Sequence, residues 1–225
     1  YTVDFEQKTM TVDYTAAVSN DEARDAFFKR HTFTVTGAQT ETIELKRPFF
    51  FFYIGTADYA ASTSAGYTPT QSSVTVPVYT TLNLTNGAVD GQATQTFDLA
   101  NIKKDETLPV AGNEYLAMNY LLVDADKEVV DLTFKYTDGT TEKTRTVGSV
   151  PVQRNYRTNI YGQLLTSDVD INVEIKPEYD GALELDDLHK AALNGGEYTL
   201  TATVETEAGV DAEAYPATFD VVVKL

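Results

Sequence analysis

The 225-residue sequence contains no cysteine and no tryptophan, and only two methionines and two histidines. Without cysteine, the chain cannot form disulfides, thiolate metal sites or a thiol nucleophile. Basic residues are also scarce, since 17 Lys and Arg stand against 34 Asp and Glu and give a net charge of -17. Such a surface repels polyanions, so we do not expect nucleic acid as a partner.

Long apolar runs are missing as well. The longest covers residues 49–54, far below the roughly 20 residues that a membrane-spanning helix needs. No signal peptide or lipidation motif is recognisable. The sequence begins with Tyr1 and not with methionine, so we expect a processed or truncated product whose targeting signal lay upstream.

The abundant residue types point to strands. Apolar residues make up 42% of the chain and aromatic residues 11%, which is enough for a core. Thr, Val and Tyr, which favour strands, recur in almost every segment. Alternation of apolar and polar residues predicts hairpins over residues 1–14, 32–45 and 129–147, and Asp138-Gly139 is a strong turn signal within the third. The composition therefore predicts a mainly β fold.

Three strands have distinctive patterns. Residues 49–54 do not alternate, which predicts either a strand buried on both faces or a stretch that is covered by something outside this chain. Residues 114–123 are long and apolar enough for a central strand, whereas Pro77 moves the strand at residues 73–80 towards a sheet edge, because proline donates no hydrogen bond. Residues 169–175 alternate again.

One or two short helices are expected beside the strands. Ser19 and Glu22 form a capping-box pattern that predicts a helix over residues 21–29. Residues 57–67 predict a loop with a helical turn, and the spacing of apolar residues predicts a further helix over residues 183–193.

Catalytic patterns are weak. His31 and His189 are far apart in sequence, and no Gly-x-Ser-x-Gly elbow accompanies them, so nucleophilic hydrolysis is not expected. Paired carboxylates of a glycoside hydrolase cannot be recognised among 34 acidic residues. We predict that the protein is not an enzyme and has no catalytic residues, with glycoside hydrolysis as the enzyme alternative.

Cofactor and metal patterns are weak too. The pairs Asp124/Asp126 and Asp168/Asp170 lack the spacing of a calcium loop and are interpreted as turn and strand residues. No phosphate-binding loop or dinucleotide fingerprint occurs. We therefore predict no cofactor and no metal ligand.

The most distinctive segment is residues 150–166, which read Val-Pro-Val-Gln-Arg-Asn-Tyr-Arg-Thr-Asn-Ile-Tyr-Gly-Gln-Leu-Leu-Thr. From the residues alone, it predicts a polar, hydrogen-bonded corner followed by a strand, in which Gly162 can take a conformation that other residues resist. The segment also resembles a signature of the fimbrillin-like surface proteins of Gram-negative anaerobes. The matching positions are Arg154, Asn155, Thr158, Asn159, Ile160, Gly162 and Leu164 to Thr166.

The resemblance implies a fold and a way of assembly. The fold is a tandem of transthyretin-like antiparallel β-sandwiches with Greek-key topology, the first of them incomplete in this chain. The expected domains are residues 1–45 as the end of the first sandwich, 46–180 as the second sandwich, and 181–225 as a C-terminal extension of helix and strands. Family members are exported as outer-membrane-anchored lipoprotein precursors and polymerise on the cell surface into type V pili by donor-strand exchange.

The function implied is that of a structural subunit of cell-surface fimbriae that supports adhesion. Its partners would be other pilin subunits, in a homopolymer or heteropolymer, together with a host protein or glycan as the adhesion target. The candidate donor strand carries Phe219, Val221, Val223 and Leu225. The alternative is a surface lipoprotein on the same scaffold that binds glycan or host protein without polymerising.

The sequence departs from the family in two places. Four phenylalanines occupy residues 49–52, where the family tends to alternate. The segment after Gly181 does not match the shared core of the family, so it is either the donor-strand region or a small accessory module.

Overall fold

The structure is a computed structural model that describes residues 1–34, 37–103, 110–167, 171–177, 197–203 and 218–224. Contacts group the chain into two units, Tyr1–Gly181 and Ala182–Leu225. The boundary expected at residue 45 lies inside the first unit, and the boundary at residue 180 lies at its end. The helix expected over residues 183–193 is outside the described residues.

The fold is mainly β, in the β-sandwich class. One short α-helix, α1 (Tyr59–Ser64), confirms the helical turn predicted after residue 57. Among the described residues, no helix has the length and apolar character to cross a membrane. The strands, in chain order, are β1 (Thr2–Asp4), β2 (Thr9–Thr11), β3 (Phe49–Thr56), β4 (Gln71–Val78), β5 (Thr81–Asn83), β6 (Val89–Asp90), β7 (Ala93–Asn101), β8 (Glu114–Leu122), β9 (Glu128–Thr137), β10 (Glu142–Val152), β11 (Tyr156–Gly162), β12 (Ile171–Pro177), β13 (Glu197–Thr203) and β14 (Thr218–Lys224).

The first unit contains three four-stranded sheets. The front sheet has the order β12-β11-β3-β8, the back sheet β10-β9-β4-β7, and a small sheet β1-β2-β5-β6. The hairpin predicted over residues 1–14 is confirmed by β1 and β2, and the hairpin around Asp138-Gly139 by β9 and β10. One pair departs from the expected antiparallel pattern, because β3 and β11 run parallel. The chain forms the whole back sheet between them, which supplies the long connection that a parallel pair needs.

The phenylalanine run is the centre of the front sheet. All eight residues of β3 are buried, which confirms the prediction of a strand covered on both faces. Phe51 and Tyr53 contact the rings of Tyr120 and Tyr115 on one face, with ring centroids 5.1 and 5.8 Å apart. Phe50 and Phe52 point to the opposite face, as strand geometry requires.

Two predicted strand positions are wrong in detail. The strand with Pro77 lies between β9 and β7 and is not an edge strand. Because β9 pairs with it only from Gln71 to Thr75, the proline needs no hydrogen bond on that side. The strand that was expected to be central, β8, lies at the end of the front sheet.

The outer side of β8 is closed by side chains from the N-terminal segment. Asn20 Oδ1 accepts hydrogen bonds from Met118 N at 3.0 Å and from the Tyr115 hydroxyl at 2.9 Å. The Tyr14 hydroxyl accepts from Leu122 N at 3.0 Å, and burial raises the pKa of Tyr14 to about 12. These bonds satisfy edge groups that would otherwise be free to pair with another chain.

The helix predicted over residues 21–29 is wrong in length and in its cap. Only a single 3-10 turn, Glu22–Arg24, forms, and Asp21 caps it by accepting from Ala23 N at 3.1 Å. A helix cannot begin at Ser19 because the next residue, Asn20, has φ +64° and is left-handed.

The hairpin predicted over residues 32–45 is also wrong. The described residues of this segment form no strand. A two-stranded hairpin that packs against nothing is marginally stable at best, and the alternating sequence here finds no surface in the described part of the chain on which to bury its apolar face.

Candidate functional site

The segment that resembles the fimbrillin signature forms a tight corner between β10 and β11. Tyr156 N donates to Gln153 O at 3.1 Å, and Asn155 takes the left-handed conformation with φ +62°. Asn155 N donates to Phe49 O at 2.9 Å, and its Oδ1 accepts from Arg47 N at 3.0 Å. The corner therefore holds the start of β3 in place.

The Arg154 side chain is also used structurally. Its Nε and Nη2 donate to Val123 O at 3.3 and 3.2 Å. Burial lowers the pKa of the Arg154 guanidinium, and the charge of Asp124 opposes that effect. Two of the three guanidinium nitrogens are therefore held by one backbone carbonyl.

The next residues of the segment that resembles the fimbrillin signature lie along β11. Thr158 is fully buried and donates to Pro151 O at 2.6 Å, and Ile160 is fully buried in the core. Asn159 is buried too, and its Oδ1 has no hydrogen-bond partner among the described residues. Gly162 has φ +148°, which excludes other residues, and its carbonyl accepts from Ala57 N at 2.8 Å.

Sequence analysis missed the residue that fixes the end of this segment. The buried carboxylate of Asp58 accepts from Thr166 N at 2.7 Å, from Thr166 Oγ1 at 2.6 Å and from Leu165 N at 3.2 Å, and it also accepts a bond from the Thr56 hydroxyl. Burial raises the pKa of Asp58, but the hydrogen bonds outweigh it and hold the pKa below its ordinary value. No sequence pattern indicates this role of Asp58, because an acidic residue in a polar loop is usually exposed to solvent.

The most unusual surface feature is the segment between Phe28 and Lys46, which we call the arm (residues 29–46). Its ends are joined by a bridge, in which Phe28 N donates to Lys46 O at 2.9 Å and Lys46 N donates to Phe28 O at 3.2 Å. Every described residue of the arm is exposed. Phe33, Ile43 and Leu45 are 49%, 47% and 43% exposed.

The base of the arm is fixed to the sandwich. Arg47 Nε donates to both carboxylate oxygens of Asp25, at 2.8 and 2.9 Å, and its guanidinium lies 4.4 Å from the ring centre of Phe27. Together with the hydrogen bond that Arg47 N donates to Asn155 Oδ1, this ion pair anchors the chain between the arm and β3. The corner before β11 is therefore hydrogen-bonded to the base of the arm.

The candidate donor strand lies in the second unit. Phe219, Val221 and Val223 belong to β14, which pairs antiparallel with β13. The three residues occupy alternate positions of this strand. Leu225 is outside the described residues.

The titratable candidates do not converge. His31 lies in the arm, 3.3 Å from Glu41, and His189 is outside the described residues. Asp124 caps a turn by accepting from Asp126 N at 3.0 Å, and Asp168 and Asp170 are not described. Within the described ranges, no three His, Asp or Glu side chains are placed to hold a metal ion.

A small cleft lies beside the N-terminal hairpin. Its volume is about 190 Å³, and its lining includes Asp13, Arg24, Phe49 and Tyr120. Phe49 and Tyr120 are almost fully buried, whereas Tyr1, which also lines the cleft, is 58% exposed. The charged groups of the cleft are paired with neighbours, since Arg24 Nη1 donates to Asp13 O at 3.1 Å and Arg24 Nε lies 3.4 Å from the carboxylate of Asp21.

Residues 1–208 match a protein family of unknown function, DUF6562. Because the match covers most of the sequence, the chain belongs to this family. No curated protein matches the chain.

Proposed function

We propose that the protein is a structural subunit of cell-surface fimbriae, which polymerises by adding a strand from one subunit to another. The resemblance of residues 150–166 to the fimbrillin signature supports this proposal. The contacts of Arg154, Asn155 and Thr158 support it as well. These side chains bind backbone groups of the fold, as expected of a structural role for this segment.

The arm is the observation that carries the proposal. Its sequence alternates as a strand does, yet its described residues form no strand and expose Phe33, Ile43 and Leu45. Exposed apolar groups on strand-forming sequence are what β-strand addition uses, with main-chain hydrogen bonds giving affinity and alternate side chains giving register. A strand from a second subunit would pair with the arm and cover this apolar face.

Charge favours the arm as the point of contact. Residues 29–46 hold three basic and two acidic side chains, whereas the rest of the chain holds 14 basic and 32 acidic. Two copies of so acidic a protein repel each other over most of their surfaces. The arm and its base are the part of the chain that another copy attracts.

The chain also has an edge strand that could accept another strand, and a candidate donor strand. Among the described strands, β12 pairs only with β11, and Val173 on β12 is 37% exposed. The candidate donor is β14, whose sequence places Phe219, Val221 and Val223 at alternate positions. Because β14 pairs with β13 in the isolated chain, it must leave that partner when it is donated. The precursor is proposed to be an outer-membrane-anchored lipoprotein.

The direct experiment puts proline into the arm. Thr34 and Glu44 are exposed and lie outside any strand, so a T34P/E44P variant should keep the melting temperature of the wild type. Proline removes two backbone donors and blocks strand pairing. The proposal predicts that wild type and the matched T34A/E44A control form filaments visible by negative-stain electron microscopy, and that T34P/E44P stays monomeric.

Filaments of T34P/E44P as long and as frequent as those of the alanine control would contradict the arm as acceptor. Removal of residues 218–225 tests the donor in the same assay, since loss of filaments is expected. A wild-type protein that stays monomeric under all conditions and binds a glycan or host protein would instead support the non-polymerising surface lipoprotein.

A further inference from the structure

The outward face of the back sheet carries a row of threonines in register. Thr146 on β10 pairs with Thr133 on β9, Thr133 pairs with Thr75 on β4, and Thr75 pairs with Thr96 on β7. The row thus crosses all four strands, with about 4.8 Å between neighbours. All four side chains are exposed or half-buried, whereas the adjacent residues Val74, Phe97, Leu132, Phe134 and Val147 are buried.

One end of this row borders a trough. The trough has a volume of about 480 Å³ and is lined by Thr75 and Thr96, by the carboxylates of Asp98 and Glu142, by Lys135 and by Leu99. Its volume is within the range of roughly 300 to 1,000 Å³ that is usual for small-molecule sites. Strand geometry makes it rigid, because every lining residue lies on a strand of the back sheet.

The lining chemistry suits hydroxyl groups. Thr75 Oγ1 and Thr96 Oγ1 are hydrogen-bonded to each other at 2.9 Å, so one of the two hydroxyls keeps its proton for a ligand and both keep lone pairs that can accept. The Asp98 carboxylate accepts bonds from donors, and Lys135 donates. Leu99, which is 43% exposed, offers an apolar contact for the C–H face of a sugar ring.

The charges favour a neutral ligand. Lys135 Nζ lies 3.0 Å from Glu142 Oε1, so this pair is internally neutralised, and the remaining charge in the trough is the carboxylate of Asp98. An anionic ligand would meet both that carboxylate and the net charge of -17. A cation would gain from a single carboxylate but would leave the row of hydroxyls unused.

We propose that the threonine row and the trough form a binding surface for an uncharged oligosaccharide or polysaccharide, lying across the strands of the back sheet. This inference does not depend on polymerisation, since neither the arm nor β14 contributes to the trough.

The test uses affinity gel electrophoresis of the full chain in gels that contain one polysaccharide each. The neutral probes are xylan, galactomannan, β-glucan and soluble starch, and polygalacturonate is the anionic probe. Thr75→Val with Thr96→Val removes both hydroxyls while keeping shape and strand preference. Thr2→Val with Thr11→Val is the matched control, because Thr2 and Thr11 are a cross-strand pair on exposed positions outside the trough.

We expect at least one neutral polysaccharide to retard the wild type and the control, and the T75V/T96V variant to bind it about tenfold more weakly. Polygalacturonate should retard none of them. The proposal is overturned if no neutral polysaccharide retards the wild type, or if T75V/T96V binds as tightly as the control. Filament formation by T75V/T96V should be unchanged, which separates a failure here from a failure of the proposed assembly.

Discussion

Asn155 and Arg47, which are 108 positions apart in sequence, are joined by a hydrogen bond of 3.0 Å from the backbone N–H of Arg47 to Asn155 Oδ1. The bond links the corner before β11 to the residue that follows the arm and precedes β3. The same asparagine donates its backbone N–H to Phe49 O at 2.9 Å. A residue that could be mistaken for part of a binding site is therefore a structural tie.

Replacing this asparagine should separate its two roles. N155A loses the side-chain acceptor and places alanine at φ +62°, so it should lower the free energy of unfolding by about 2 kcal/mol. N155G keeps the favourable conformation and loses only the acceptor, so its loss should be about half as large. Urea unfolding of both variants measures the difference, and equal losses would show that backbone conformation contributes nothing.

Asp58 should make stability depend on acid pH. Its pKa in the folded protein lies below the ordinary value, because hydrogen bonds from Thr166 and Thr56 outweigh burial. A lowered pKa stabilises the fold above the unfolded value of about 3.9, and the gain is lost as pH falls through the folded pKa. We expect D58N to cost about 2 kcal/mol near neutral pH, with the gap to wild type closing as pH falls towards about 3. A gap that stays constant in urea titrations across that range would contradict the prediction.

Tyr53 and Gly55 are tightly packed in β3. A Cβ at Gly55 would clash with the Tyr53 hydroxyl and would lie 2.7 Å from two of its ring carbons. The hydroxyl is buried without a hydrogen-bond partner among the described residues, and burial raises its pKa. G55A should therefore cost about 2 kcal/mol, and Y53F should leave stability unchanged or raise it.

A double-mutant cycle checks the pair. G55A should cost less in the Y53F background, because the atom nearest to the new methyl group is gone. Identical costs in the two backgrounds, measured by thermal unfolding, would show that the close contact does not decide the choice of glycine.

Sequence patterns were reliable where one local rule decided the outcome. The Asp138-Gly139 turn and its alternating strands predicted β9 and β10, and the unbroken apolar run predicted the burial of β3 on both faces. Sequence patterns failed to predict contacts that depend on residues far away in the sequence. Neither the parallel pairing of β3 with β11 nor the closure of β8 by Asn20 can be read from neighbouring residues.

The arm shows that a local strand pattern alone does not produce a strand. Its alternation is as clear as that of β9, yet a strand also needs a surface to cover, and the described chain offers none to residues 32–45. The carboxylate of Asp58 was missed for a related reason, since only the folded chain brings Thr166 to it. Roles of this kind depend on contacts across about a hundred residues.

Hydrogen–deuterium exchange of the arm tests the central claim most directly. In the monomer, the amides of residues 29–34 and 37–45 should exchange rapidly, because these residues are exposed and form no strand. After filaments have formed, alternate amides of the arm should become strongly protected, as a newly added strand requires, while β3 should be protected in both states. Filaments in which the arm exchanges as fast as in the monomer would contradict strand addition at the arm.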